Sequence, residues 1–440
     1  MSKAPTLLPF RAVRYNLQQI PDLSRVIAPP YDVISAEQQQ QLYTKDAHNI
    51  AWLDVTQEGT DEPSDDRYAK AARDFQDWQK QNILSRDAAP GLYVYEQTFT
   101  DPLGTCYTRR GFYGLRRLEA FGAGKVYPHE QTLAGPKKDR LKLMKATDAQ
   151  LSPIFGLFHE SGGTAATLLA NATQKEPLFD IQDDNNQSHR LWYETDPVWI
   201  EQMQAALQEA PVIIADGHHR YETALAYKKW RDENRASEDP AATYKYVLMF
   251  CEAIQDPGLV VLPTHRLVQN RSRFSEEDFL AKVRDYFQVE EFTANSTDAW
   301  VEQIRKQGEA RHCFGLMFQG DKKRYVVSIS EASLTEVPAL AQIPQPLRSL
   351  DAKIVHSCFL EAFLGFTKED QEDQRYIQYL KSEKSFVEKM QNSGAQMGVL
   401  MNAAPLPQIR QIAEAGLFMP PKTTYFYPKL PTGLVINYLD

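Results

Sequence analysis

The feature that most constrains this chain is a short apolar run, Pro211-Val212-Ile213-Ile214-Ala215, set between two stretches of helical pattern. Pro197 to Gln208 has the spacing of an amphipathic helix, Tyr221 to Asn234 forms a second, and Tyr244 to Glu252 is a second strand. Helix, strand, helix and strand in that order predict an α/β or mixed α+β fold, with mixed sheets and flanking helices. Around this centre other elements follow from local chemistry. Ser35 caps a helix to Leu42, and another helix spans about Asp65 to Gln81 after the polar loop Gln57 to Ser64. Leu92 to Phe99 and Tyr107 to Leu118 are strands joined by the turn residues Asp101-Pro102-Leu103-Gly104. Leu141 to Lys145 is helical in character, and Ile154 to Phe158 is a strand after Ser152-Pro153. Later come helices at about Ser275–Tyr286, Thr297–Gln307 and Ala352–Leu364, with strands at about Phe314–Gln319 and Arg324–Ile329.

At 440 residues the chain exceeds the size of one ordinary core. Three regions are expected: an N-terminal α/β region with a hairpin at 1–125, a central region at 126–270, and a C-terminal α/β region at 271–440. The net charge of −9 gives no basic field for nucleic acid, so no nucleic-acid partner is expected, while one cleft can still be cationic. Four scattered cysteines without a C-x-x-C pair disfavour a thiolate zinc site or a disulfide framework. No apolar run approaches the ~18 residues of a membrane span, and the first residues lack the pattern of a signal peptide. The expected location is the cytoplasm, with no membrane partner; the oligomeric state is not fixed by the sequence.

The chemistry gathers where the central strand gives way to a helix, at Asp216-Gly217-His218-His219-Arg220. Ligands bind at the carboxyl ends of strands in α/β sheets, and a helix start offers N–H groups and partial positive charge to phosphate. Gly217 permits a tight turn. Asp216 can hold a magnesium ion or orient a hydroxyl, and His218, His219 and Arg220 can touch phosphate oxygens. The plain alternative is a capping Asp216 paired with Arg220 beside bystander histidines. A second cluster runs through Tyr127-Pro128-His129-Glu130-Gln131-Thr132 and Gly135-Pro136-Lys137-Lys138-Asp139-Arg140, a charged loop leading into a helix. Thr264, His265 and Arg266 are a further phosphate-contact set or simply a strand end. The tail Lys422, Tyr425, Tyr427 and Lys429, and Arg11, Arg14 and Asp32 near the start, are weaker candidates. Walker, Rossmann, zincin and nucleophile-elbow motifs are absent.

With these motifs assembled, the chain resembles the domain of unknown function 1015 family. The resemblance rests on Phe10 to Tyr15, Val26 to Ile34, His129-Glu130-x-Thr132, Gly135 to Leu141, Ser152 to Gly156, Ala215 to Ala224, Leu262 to Arg266 and Tyr425 to Leu430. The Asp-Gly-His-His-Arg box is also similar to the phosphate-binding box of ParB-like proteins, and in particular of free serine kinases. That second resemblance implies a ParB-like element, an ATP or ADP donor, and an upstream acid that activates the acceptor hydroxyl, for which Glu130 is the candidate by composition.

The expected function is nucleotide-dependent phosphoryl transfer to a small hydroxylated metabolite. Asp216 would hold magnesium or orient the acceptor. His218, His219 and Arg220 would clamp phosphates, while Lys137, Lys138 and Arg140 bind or neutralise charge, and Glu130 or His129 acts as base. The alternatives are a metal-dependent phosphoester hydrolase with His129, Glu130, Asp216, His218 and His219 as ligands, and a non-enzymatic nucleotide-sensing regulator.

Overall fold

A computed structural model describes residues 5–55, 66–130, 135–270, 274–293, 296–320, 323–372 and 375–439. The expected loop at 57–64, position 65 of the next helix, and Gln131 and Thr132 of the charged loop lie outside these residues. The chain divides into two compact units. The first comprises 1–128, 132–260 and 428–440, and the second 129–131 and 261–427.

A large sheet belongs to the first unit. Its strands are β1 (Leu7–Leu8), β2 (Leu92–Thr100), β3 (Cys106–Arg117), β4 (Val126–Tyr127), β5 (Ile154–Phe158), β6 (Phe179–Gln182), β7 (Ser188–Glu194), β8 (Val212–Asp216) and β9 (Tyr246–Ala253). Among the described residues the order is β4-β8-β5-β9-β3-β2-β7-β6, with β1 paired to β3. The sheet is mixed: β8 runs parallel to β4 and antiparallel to β5, and β5 runs parallel to β9. The two central strands of the sequence pattern, β8 and β9, are therefore not neighbours; β5 lies between them. The expected β2–β3 hairpin forms, with Tyr93 opposite Tyr113 through Thr100 opposite Cys106. Its turn is fixed by Asp101, whose Oδ1 accepts from the Leu103 and Thr105 amides at 2.9 and 2.8 Å.

The longer helices of this unit are α1 (Ala36–Lys45), α2 (Asp66–Lys80), α3 (Gly135–Thr147), α4 (Thr164–Ala172), α5 (Pro197–Leu207) and α6 (His218–Arg235). Ser35 and Gln38 form a reciprocal capping box on α1, and Asp196 caps α5 with Pro197 in its first turn. Buried Ala165, Leu168 and Leu169 of α4 and Trp199, Met203 and Leu207 of α5 pack against Val94, Phe112, Ile154, Phe158, Ile214 and Met249. Fully burying a Leu, Phe or Met side chain contributes roughly 1.5–3 kcal/mol. Helix α4 and the β6–β7 hairpin have no counterpart in the sequence reading.

The second unit holds an all-antiparallel sheet of β10 (His265–Val268), β11 (Gln288–Phe292), β12 (His312–Phe318), β13 (Arg324–Ile329), β14 (Ile377–Leu380) and β15 (Met397–Leu400). Among the described residues its order is β11-β13-β12-β15-β10-β14. Helices α7 (Glu276–Arg284), α8 (Thr297–Gly308) and α9 (Glu383–Asn392) flank it. Trp300 and Ile304 of α8 and Phe386 and Met390 of α9 share a core with Leu267, Met317 and Val326. The helix expected over Ala352–Leu364 is not one regular helix. Asp351–Ile354 is α-helical and Val355–Phe363 is a π-helix, with the Leu364 amide donating to the Phe359 carbonyl at 3.1 Å. Among the described residues no helix is long and apolar enough to cross a membrane.

Candidate functional site

The helix after β8 begins three residues earlier than the apolar pattern predicts, because Gly217 takes φ +91° and turns the chain in one residue. Helix α6 therefore starts at His218, and a side chain on Gly217 would place its Cβ 3.0 Å from the Arg220 Nε. The turn presents Asp216 at the carboxyl end of β8. Arg220 Nη2 donates to Asp216 Oδ2 at 2.6 Å, Arg220 Nη1 donates to the Pro153 carbonyl, and Lys429 Nζ donates to Asp216 Oδ1. Burial alone would raise the Asp216 carboxyl. The Lys429 ammonium and the Arg220 guanidinium outweigh it and hold Asp216 well below the usual carboxylate range. His218 is buried and adds favourable charge to Asp216 when protonated, while His219 is half-buried and gives its backbone carbonyl to Thr223 Oγ1.

Helix α3 brings the second basic motif to the same unit. Lys137 pairs with Glu222 of α6 at 2.7 Å, and Lys138 is exposed. One turn on, Arg140 is buried, with Nη1 donating to the Asp54 carbonyl and to Asp54 Oδ1 at 2.7 and 3.1 Å. Its Nε reaches Asp139 Oδ2 at 2.7 Å, and its guanidinium lies 4.1 Å from the Tyr31 ring centroid. Ser152 Oγ donates to Asp54 Oδ2 at 2.9 Å. Asp54, Arg140, Ser152, Arg220 and Thr223 line one cavity of about 40 Å³, room for a few waters. Burial raises the Asp54 carboxyl against the opposing pull of Arg140 and Ser152. Burial also pushes the Tyr31 hydroxyl up to about 12, with Arg220 and Arg140 opposing.

Three of these residues were weak or missing in the sequence reading. Asp54 is a lone acid in the apolar stretch Ile50 to Val55, a pattern that marks a buried carboxylate. Tyr31 sits beside Asp32 at the Pro29-Pro30 corner. Lys429 was a weaker candidate in the tail, and nothing local ties it to Asp216.

His129, Glu130, Thr264, His265 and Arg266 lie in the second unit. His129 Nε2 and Thr424 Oγ1 are 2.9 Å apart, and Glu130 Oε1 accepts from the Thr424 amide and hydroxyl at 3.4 and 3.3 Å. Thr264, His265 and Arg266 are all buried. His265 Nδ1 accepts from the Met401 amide at 3.1 Å, and burial followed by Arg266 pushes its pKa down to about 3. Arg266 donates to the Thr264 carbonyl and lies 2.9 Å from Met401 Sδ; burial lowers it to about 10. Among the described residues no three or more His, Cys, Asp or Glu side chains are grouped to hold a metal ion. Magnesium at Asp216 does not fit the site either, since each of its oxygens is engaged by a cation.

The fold and site define a mixed α/β protein with a buried charged cluster at a strand-to-helix turn. The chain belongs to the family described as "protein of unknown function (DUF1015)", whose model matches residues 7–353. No curated protein matches it. Similar solved structures include a free serine kinase in complex with AMP, at 11% identity, covering 72% of this chain and 88% of that one, with a TM-score of 0.35. A conserved hypothetical protein from Pyrococcus furiosus is 12% identical over 71% of this chain and 91% of its own, with a TM-score of 0.35. SbnI with a C-terminal truncation, from Staphylococcus aureus, is 9% identical over 74% and 87%, with a TM-score of 0.34. Likeness at this level does not carry a function across.

Proposed function

We propose that the first unit binds the phosphates of an adenine nucleotide, ATP or ADP, at the Asp216–Arg220 turn and transfers the terminal phosphoryl group to a hydroxyl of a small metabolite. The observation that carries this reading is the joint hold of Arg220 and Lys429 on Asp216 at the start of α6. Two fixed cations and a helix N-terminus make a preorganised place for phosphate charge. Asp216 orients the two cations rather than a metal, and His218 and His219 contribute donors from the first helical turn. Lys137 and Arg140 add positive charge from α3.

Asp54 acts as the base, because a carboxyl with a raised pKa beside two guanidinium groups is suited to accept a proton. The acceptor oxygen bonds to the terminal phosphorus, the bridging P–O bond breaks, and the hydroxyl proton passes to Asp54. ADP leaves from ATP, or AMP from ADP. Positioning and charge neutralisation supply most of such catalysis.

The test combines thermal melting with nucleotide and phosphorus NMR of a reaction with hydroxyl-bearing amino acids, sugars and acids. Nucleotide should raise the melting temperature by mass action, and at least one acceptor should gain phosphate. Asp216→Asn should remove both responses. The reading fails if ATP and ADP neither shift the melting temperature nor lose phosphate to any acceptor.

A further inference from the structure

The second unit contains a cavity of about 200 Å³ that the proposed reaction does not use. It forms beside the π-helix Val355–Phe363, a rare geometry that recurs at functional sites. His356, on the first turn of that helix, is only 3% exposed, lines the cavity, and its Nε2 has no hydrogen-bond partner. A buried polar group left unsatisfied is costly, so the site favours a polar occupant. Gln371 donates Nε2 to Glu361 Oε1 at 3.0 Å, so the lining amide and carboxylate engage each other.

Charge and apolar surface define the occupant further. Lys353 and Lys368 contribute two positive charges to the lining against the single negative charge of Glu361. Burial, followed by the charge of nearby Arg266, keeps His356 neutral. The other wall carries Phe418 and Met419, and Phe418 leaves 41% of its surface exposed. An uncovered aromatic face beside two lysines and an unsatisfied imidazole suits a molecule with an anionic head and an apolar body.

We propose that this cavity binds a small organic anion, its head held by Lys353, Lys368 and His356 and its short apolar body laid against Phe418 and Met419. The site is independent of the nucleotide reading. Most of its lining lies beyond residue 353, where the family match stops.

The experiment is calorimetric titration of the full chain with butyrate, succinate and propyl phosphate. Inorganic phosphate serves as a head without a body, and butanol as a body without a head. At least one organic anion should bind about tenfold more tightly than either control. Lys353→Ala with Lys368→Ala should weaken it by about tenfold or more, the loss typical of removing a charge partner, while His356→Gln weakens it less. If the double variant fails to fold, Lys368→Gln alone, on an exposed side chain, should still weaken binding severalfold. Saturation by none of the organic anions overturns the proposal. So does equal binding of inorganic phosphate, or unchanged affinity in the folded lysine variants.

Discussion

Lys429 Nζ donates directly to Asp216 Oδ1, joining positions 213 residues apart in the chain. The pair is largely shielded, with side-chain exposures of 14% and 16%, and Arg220 occupies the other carboxylate oxygen. Lys429→Met should therefore lower stability by about 2 kcal/mol at neutral pH, less than the loss of a sole partner, since Arg220 remains. The sign with pH follows from the depressed Asp216 pKa. Its contribution is fully present above the ordinary carboxylate value near 3.8 and is lost as pH falls below it. Urea titrations should show wild type and Lys429→Met converging in acid; a constant gap down to pH 3 would contradict the pairing.

Arg140 is the principal charge partner of the buried Asp54 carboxylate. Removing it as Arg140→Met should cost about 3–5 kcal/mol at pH 7, the usual cost of stranding a buried charge. The loss should shrink as pH drops, because Asp54 can then take a proton. Asp54→Asn in the same chain should restore a large part of the stability, measurable as a double-mutant cycle. Additive effects of the two changes would show that they do not interact.

Glu252 on β9 is wholly buried, and neither carboxylate oxygen has a hydrogen bond. Burial pushes its pKa up to about 8, Arg109 opposing and Asp256 adding slightly. A folded state that holds the proton longer than the unfolded state loses stability as pH rises between about 4.5 and 8. Glu252→Gln should abolish that slope and be the more stable protein at pH 9, by a few kcal/mol and at most ~5. Parallel stability curves for the two proteins from pH 5 to 9 would refute it.

The two histidines of the turn differ in burial, His218 being inside and His219 half-exposed. His219→Ala should change stability by less than about 1 kcal/mol and His218→Ala by about 1–2 kcal/mol. Both should lose the nucleotide-induced rise in melting temperature. If both melt far below wild type yet keep that rise, the histidines serve the core.

What the sequence revealed of this molecule was mostly local. The β2–β3 hairpin, strands β5 and β8, and the cap at Ser35 follow from neighbours in the chain, as does the placing of Asp216–Arg220 at a strand end. The sheet order does not, because the insertion of β5 between β8 and β9 is decided by pairing partners far apart in sequence. The same limit hid Lys429, whose partner is remote, and Asp54, whose role depends on an arginine 86 residues away. The π-helix was unreadable for another reason. Its apolar residues fit a helical stripe, and the change from α to π hydrogen bonding leaves no mark in a hydrophobic pattern.

The return of residues 428–440 to the first unit has a consequence for the order of biosynthesis. Val13 exchanges backbone hydrogen bonds with Ile436, Ala28 does so with Thr432, and Asn437 lies opposite Gln150. A ribosome delivers these closing segments only after the whole second unit has been translated. Until then the nascent first unit holds Asp216 with one of its two cations and lacks the pairings that fasten Val13 and Ala28. The second unit is thus made in the interval between the opening and the completion of the first, which closes only when residues 428–440 bring Lys429 to Asp216.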